Sequence, residues 1–130
     1  MSMNDPLANA LSHILNCEGL GKSECQIQNV SKVIQGILDI CKENHYVGEY
    51  KVVDYGKGKV ANLNLIGSIN KCGSIKPRFA VKWSEFEKFE KRYLPAKGFG
   101  ILIVSTNKGL MTHTQAFEKK LGGRLIAYCY

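Results

Sequence analysis

The chain has 130 residues, 45% of them hydrophobic and 22% charged, and its 18 Lys and Arg exceed its 11 Asp and Glu to leave a net charge of +7. That length holds one compact unit or two small packed subdomains, and the apolar fraction excludes a disordered chain. Residues 1–10 lack the basic start and apolar stretch of a secretory leader, and no run approaches the ~18 apolar residues of a membrane span, so a soluble cytosolic protein is expected.

The first helix is expected from Asp5-Pro6, an N-cap residue followed by a proline suited to the first helical position. Leu7, Leu11, Ile14 and Leu15 then fall on one face, and Gly19 and Gly21 close the element. Ser23–Val30 reads as a short strand. Ser31 is the expected cap of a second helix whose apolar face is Val33, Ile34, Ile37, Leu38 and Cys41, with Asn44 as its stop. Tyr46–Tyr55 reads as a strand and Gly56-Lys57-Gly58 as a tight turn. Ala61, Leu63 and Leu65 alternate with Asn62 and Asn64, the pattern of a half-buried strand.

The segment 70–77, with its Gly, Ser and Pro, is the expected boundary. Arg78–Lys82 reads as a strand, Ser84-Glu85-Phe86-Glu87 as a capping box, and a basic helix runs to Tyr93 before Leu94-Pro95. Ile101–Val104 is an apolar strand. Thr112–Gln115 is a second capping box, with Ala116, Phe117 and Leu121 facing inward, and Gly122-Gly123 is expected to end that helix through positive φ. The fold class is α+β in two subdomains. Residues 1–74 form helix-strand-helix-strand-strand, and residues 75–130 are mainly β with short helices.

Charge separates along the same line. Residues 1–70 hold six basic and seven acidic side chains, and residues 71–130 hold twelve and four. The second part therefore reads as the basic face for a polyanion. Five cysteines at 17, 25, 41, 72 and 129, odd in number and without Cys-x-x-Cys spacing, read as free, mostly buried thiols; a disulfide framework or zinc site is not expected. His13, His45 and His113 share no ligand spacing, although His13 and Cys17 stand at i and i+4, half a zinc site at best. No nucleophile elbow or paired carboxylate supports catalysis.

Ser105-Thr106-Asn107-Lys108-Gly109 is the leading candidate site. Its hydroxyls and amide can read ribose and base edges, Lys108 can neutralise phosphate, and Gly109 allows close approach. Composition alone favours an ordinary polar turn there. Gly122-Gly123 reads as a helix end that also lets backbone approach RNA. Ser31-Lys32 combines free N–H groups, a helix dipole and a cation, although a plain cap is the simpler reading. Lys57 and Lys59 lie on a hairpin turn within phosphate reach, and Arg78 with Phe79 is a candidate base-stacking pair, although Phe79 also suits the core. Two rival readings are a small phosphoryl- or acyl-handling enzyme with the Lys108-Gly109 loop as its anion site, and an adaptor whose basic half binds acidic proteins.

The chain resembles the small-subunit ribosomal protein S8 family over nearly its whole length. The resemblance rests on Gly98-Phe99-Gly100-Ile101, Val104–Gly109, Met111-Thr112, Ala116, Leu121-Gly122-Gly123 and Ala127-Tyr128, and on the opening Asp5–Leu11. Arg78-Phe79 and the Tyr-ending terminus are similar to the archaeal and eukaryotic branch. The resemblance implies a non-enzymatic RNA-binding protein without cofactors, monomeric off the ribosome. It would bind a stem in the central domain of small-subunit ribosomal RNA early in assembly, beside other ribosomal proteins. It implies a main RNA contact at Ser105, Thr106, Asn107, Lys108 and Gly109 with Met111, Gly122 and Gly123. A second contact would come from Asn4 and Asp5 at the N-terminal end and from Ser31 and Lys32.

Overall fold

Leu7, Ala10, Leu11, Ile14 and Cys17 recur at three- and four-residue intervals and form the buried stripe of helix α1 (Pro6–Gly19), with Leu15 half-buried beside them. The computed structural model describes residues 6–28, 30–56, 58–75, 78–96 and 99–130. They divide between Lys71 and Cys72 into two compact units. In the first unit α1 is followed by β1 (Glu24–Ile27), α2 (Lys32–Glu43), β2 (Val47–Asp54) and β3 (Lys59–Leu65). The strands form an antiparallel sheet in the order β1-β3-β2. Ala61, Leu63 and Leu65 are buried while Asn62 and Asn64 are exposed, so one face of the sheet is covered and the other is open and polar. Both helices pack on this sheet, α1 against β1 and α2 against β2.

The second unit contains β4 (Cys72–Ser74), β5 (Ala80–Val81), a 3-10 turn (Trp83–Glu85), α3 (Phe86–Tyr93), β6 (Ile101–Thr106), β7 (Gly109–Thr112), α4 (His113–Glu118) and β8 (Gly123–Cys129). Its antiparallel sheet runs β4-β8-β6-β7, and β5 shares with β4 the same edge of β8. Leu102, Val104, Met111 and Leu125 from the sheet meet Phe86, Phe89 and Ala116 from the helices in one apolar core. Between β6 and β8 the register shifts after Ile103, so Ile126 is an extra residue on β8. The two α+β layers expected from the pattern are both present.

Several local expectations are corrected. The strand expected over 78–82 is confined to Ala80–Val81. No cap forms at Ser84; instead Glu85 Oε1 accepts the Lys82 N–H at 3.1 Å, and α3 starts only after the 3-10 turn. Val33, in the first turn of α2, is 40% exposed, and Ile40 is buried in its place. Phe117 is 52% exposed, one residue past the fully buried Ala116, because the short α4 covers the core with a single side of its turn. Gly122 and Gly123 do not supply the positive φ that ends α4. Lys120 does, at +54°, with Leu121 N–H donating to Ala116 O and Lys120 N–H to Phe117 O. His45, at +64°, ends α2 in the same way after the expected Asn44 cap. The two expected caps at Ser31 and Thr112 are made, the second as a reciprocal pair with Gln115.

Candidate nucleic-acid interface

Strand β6 carries its apolar run outward and ends in a polar tip. Ile101 to Val104 are buried, Ser105 and Thr106 are half-buried, and Asn107 and Lys108 are exposed. The candidate segment is therefore not a loop throughout: Ser105 and Thr106 belong to β6, Gly109 starts β7, and only Asn107-Lys108 turns the chain. Gly109 takes φ of +110°, and the space beside it is open, so its dihedral, not crowding, requires glycine. The Thr106 hydroxyl accepts the Lys108 N–H at 3.1 Å and donates to Gly109 O at 2.8 Å. Its proton is committed to holding the turn. Asn107 and Lys108 are presented by a braced hairpin.

Ser105 differs. It stands in register with Leu110 on β7 and Arg124 on β8, and Arg124 stands in register with Ala80 on β5. This row lies on the face opposite Val104, Met111 and Leu125, since neighbouring strand residues alternate sides. The Ser105 hydroxyl makes no hydrogen bond among the described residues, and Arg124 is exposed. The row thus offers an uncommitted hydroxyl beside a guanidinium, a pairing able to meet ribose and phosphate oxygens. Arg124 was not singled out from sequence. Its place beside Ser105 follows only from strand register.

The paired glycines have a packing reason of their own. A Cβ at Gly123 would overlap the Ser105 carbonyl oxygen, and one at Gly122 would lie 2.8 Å from Val81 O and 3.3 Å from Lys82 Cα. Their bare backbone lets β8 enter between β5 and β6. Next to Gly122 an exposed aromatic pair forms, Trp83 edge-on to Phe117 at 5.6 Å, with the Lys120 ammonium 6.0 Å over the indole. Sequence reading missed this pair, having assigned Phe117 to the core.

Other candidates fall away from the rim. Met111 is 5% exposed and sits in the core beneath the hairpin. Phe79 packs against that core and Phe89, and the Arg92 guanidinium lies 5.4 Å over its ring, while Arg78 is exposed. His113 is buried: its Nδ1 accepts the Leu102 N–H at 3.1 Å and its Nε2 lies 3.4 Å from Glu90 Oε2. That network ties α3 and α4 to β6 and so stiffens the strand that carries the tip.

In the first unit, Ser31 accepts the Ile34 N–H at 3.3 Å, and Lys32 is exposed at the start of α2. The Val30 N–H donates to Lys59 O at 3.0 Å, which brings the first residue of β3 to the approach to α2. Lys59, exposed, is thus tied through its backbone to that approach. Asn4, Asp5 and Lys57 lie outside the described residues. None of the five cysteines is in a disulfide among the described residues, and all five are buried. No helix among the described residues is long and apolar enough to cross a membrane.

The family model described as Ribosomal protein S8 matches residues 5–130. The chain belongs to the ribosomal protein S8 family. As an S8 protein it is a non-enzymatic constituent of the small subunit of the cytoplasmic ribosome, and its partners are small-subunit ribosomal RNA and ribosomal proteins. The enzymatic reading of the Lys108-Gly109 turn is thereby set aside. Residues 72–130 carry eleven Lys and Arg against four Glu, so the positive balance of the chain lies in the second unit.

Proposed function

We propose that this S8 protein binds directly to an irregular stem in the central domain of small-subunit ribosomal RNA and supports early assembly there. The observation that carries the reading is the polar row and turn at the β6–β7 hairpin end of the second sheet. The uncommitted Ser105 hydroxyl and Arg124 share a row, beside a braced turn that exposes Asn107 and Lys108. Ser105 and Asn107 read sugar and base groups, and Lys108 and Arg124 neutralise phosphates. Thr106 and Gly109 act by fixing the turn, Met111 by filling the core below it, and Gly122-Gly123 by bringing β8 against Ser105. An irregular stem suits this rim because a regular A-form major groove hides its base edges. Ser31, Lys32 and the N-terminal Asn4-Asp5 form the second contact, with Lys57 and Arg78 as further phosphate contacts. The Arg78-Phe79 pair supports reading the chain as a member of the archaeal and eukaryotic-type branch, and we take it to be monomeric off the ribosome.

The test is a gel shift with central-domain fragments, competed by an unrelated duplex across a salt series. The expected result is preference for the cognate stem and a log–log salt slope of about −0.7 to −0.9 for each phosphate contact. Equal binding to every duplex, or affinity indifferent to salt, would overturn the proposal.

A further inference from the structure

On the first unit, three soft ligands converge. His13 and Cys17 stand one turn apart on α1, and Cys25 comes from the adjacent strand β1. Their ligand atoms, the imidazole nitrogen and two sulfurs, all lie within 4.8 Å of one another. The distance from His13 Nε2 to Cys17 Sγ is 3.8 Å. A tetrahedral zinc ion, with bonds of about 2.3 Å to sulfur and about 2.0 Å to nitrogen, needs its ligand atoms roughly 3.6–3.8 Å apart. The cluster is therefore within small side-chain rotations of a zinc geometry.

We propose that His13, Cys17 and Cys25 bind one zinc ion, with solvent in the fourth position. Both cysteines are 4% exposed, whereas His13 is exposed, so the ion has a route in from the surface and a side open to water. Two thiolates cancel the charge of a zinc dication and the imidazole adds none, which leaves a neutral centre suited to a buried place. Among the described residues no other group of three His, Cys, Asp or Glu converges in this way. Cys72 and Cys129, for example, face each other across β4 and β8 without a third ligand. Spacing in the sequence supplied only the α1 half; β1 adds Cys25 because its register with β3 turns Cys25 inward, opposite Leu63. The bound ion would pin α1 to the edge strand of its sheet.

Cobalt(II), which takes the same ligands and absorbs light when bound to thiolate, is the probe. The full chain, metal-free and held under a non-thiol reductant, is titrated with cobalt(II) and then with zinc. The expected result is thiolate-to-cobalt absorption saturating at one ion per chain and abolished by zinc. Cys17→Ala and Cys25→Val should each remove that absorption. His13→Ala, at an exposed position that leaves the core untouched, should weaken cobalt binding about tenfold or more through loss of one inner ligand. Absence of thiolate-to-cobalt absorption in the parent chain, or absorption unchanged in all three variants, would overturn the assignment.

Discussion

Ser105 and Thr106 are adjacent hydroxyl residues with different duties, and two substitutions separate them. The Ser105 hydroxyl has no partner among the described residues, so Ser105→Ala removes nothing from the free fold. Stability should change by no more than about 0.5 kcal/mol. In the complex the same change leaves an RNA donor or acceptor unpaired, at a cost of about 1–3 kcal/mol, a loss of roughly fivefold to 150-fold in affinity. Thr106→Val has the reverse profile. It deletes the acceptor of the Lys108 N–H and the donor to Gly109 O, two hydrogen bonds worth about 1 kcal/mol each. The hairpin loosens, and the melting temperature should fall by several degrees. Binding weakens because Asn107 and Lys108 are no longer held. The assay pairs thermal unfolding of the free variants with gel-shift titration against the cognate stem. The reasoning fails if Ser105→Ala binds as the parent does, or if it melts lower than Thr106→Val.

Two further outcomes follow from packing and proton linkage. Gly123→Ala drives a methyl into the Ser105 carbonyl, where strand pairing leaves no room to retreat. Stability without RNA should drop by about 3 kcal/mol in urea titration, and an unchanged midpoint would return the glycine to a role in RNA approach alone. Burial, and then the hydrogen bond and charge of Asp39, push the Tyr50 phenol up to about 12, with its hydroxyl 2.6 Å from Asp39 Oδ1. The folded chain thus holds this proton more tightly than the unfolded chain, whose phenol titrates near 10. The stabilisation is complete below about pH 10 and is lost as pH rises through about 12. Thermal melts across that window should show a steeper decline for the parent than for Tyr50→Phe; parallel declines would remove Tyr50 from the account.

The chemistry of the candidate tip was legible in residue order, because a hydroxyl-rich stretch after four apolar residues reads as the end of a buried strand. The division of labour within it was not legible. Ser105 and Thr106 look interchangeable as letters, and only the turn geometry commits one hydroxyl and leaves the other open. Arg124 shows the same limit from the other side, since a lone basic residue in a strand carries no address until its register beside Ser105 is known.

What the sequence settled alone is what local periodicity encodes. The α1 stripe, the period-two alternation of Ala61, Leu63 and Leu65, the Ser31 and Thr112 caps and the basic second half each depend on residues a few positions apart. Tertiary structure decided everything that depends on residues far apart in the chain. It set Gly123 against Ser105, joined the α2 start to Lys59, turned Phe117 outward to Trp83 and delivered Cys25 to His13 and Cys17. The physical reason is range: caps and amphipathic faces are satisfied within one or two turns of backbone, whereas register and crowding exist only once separate strands have met.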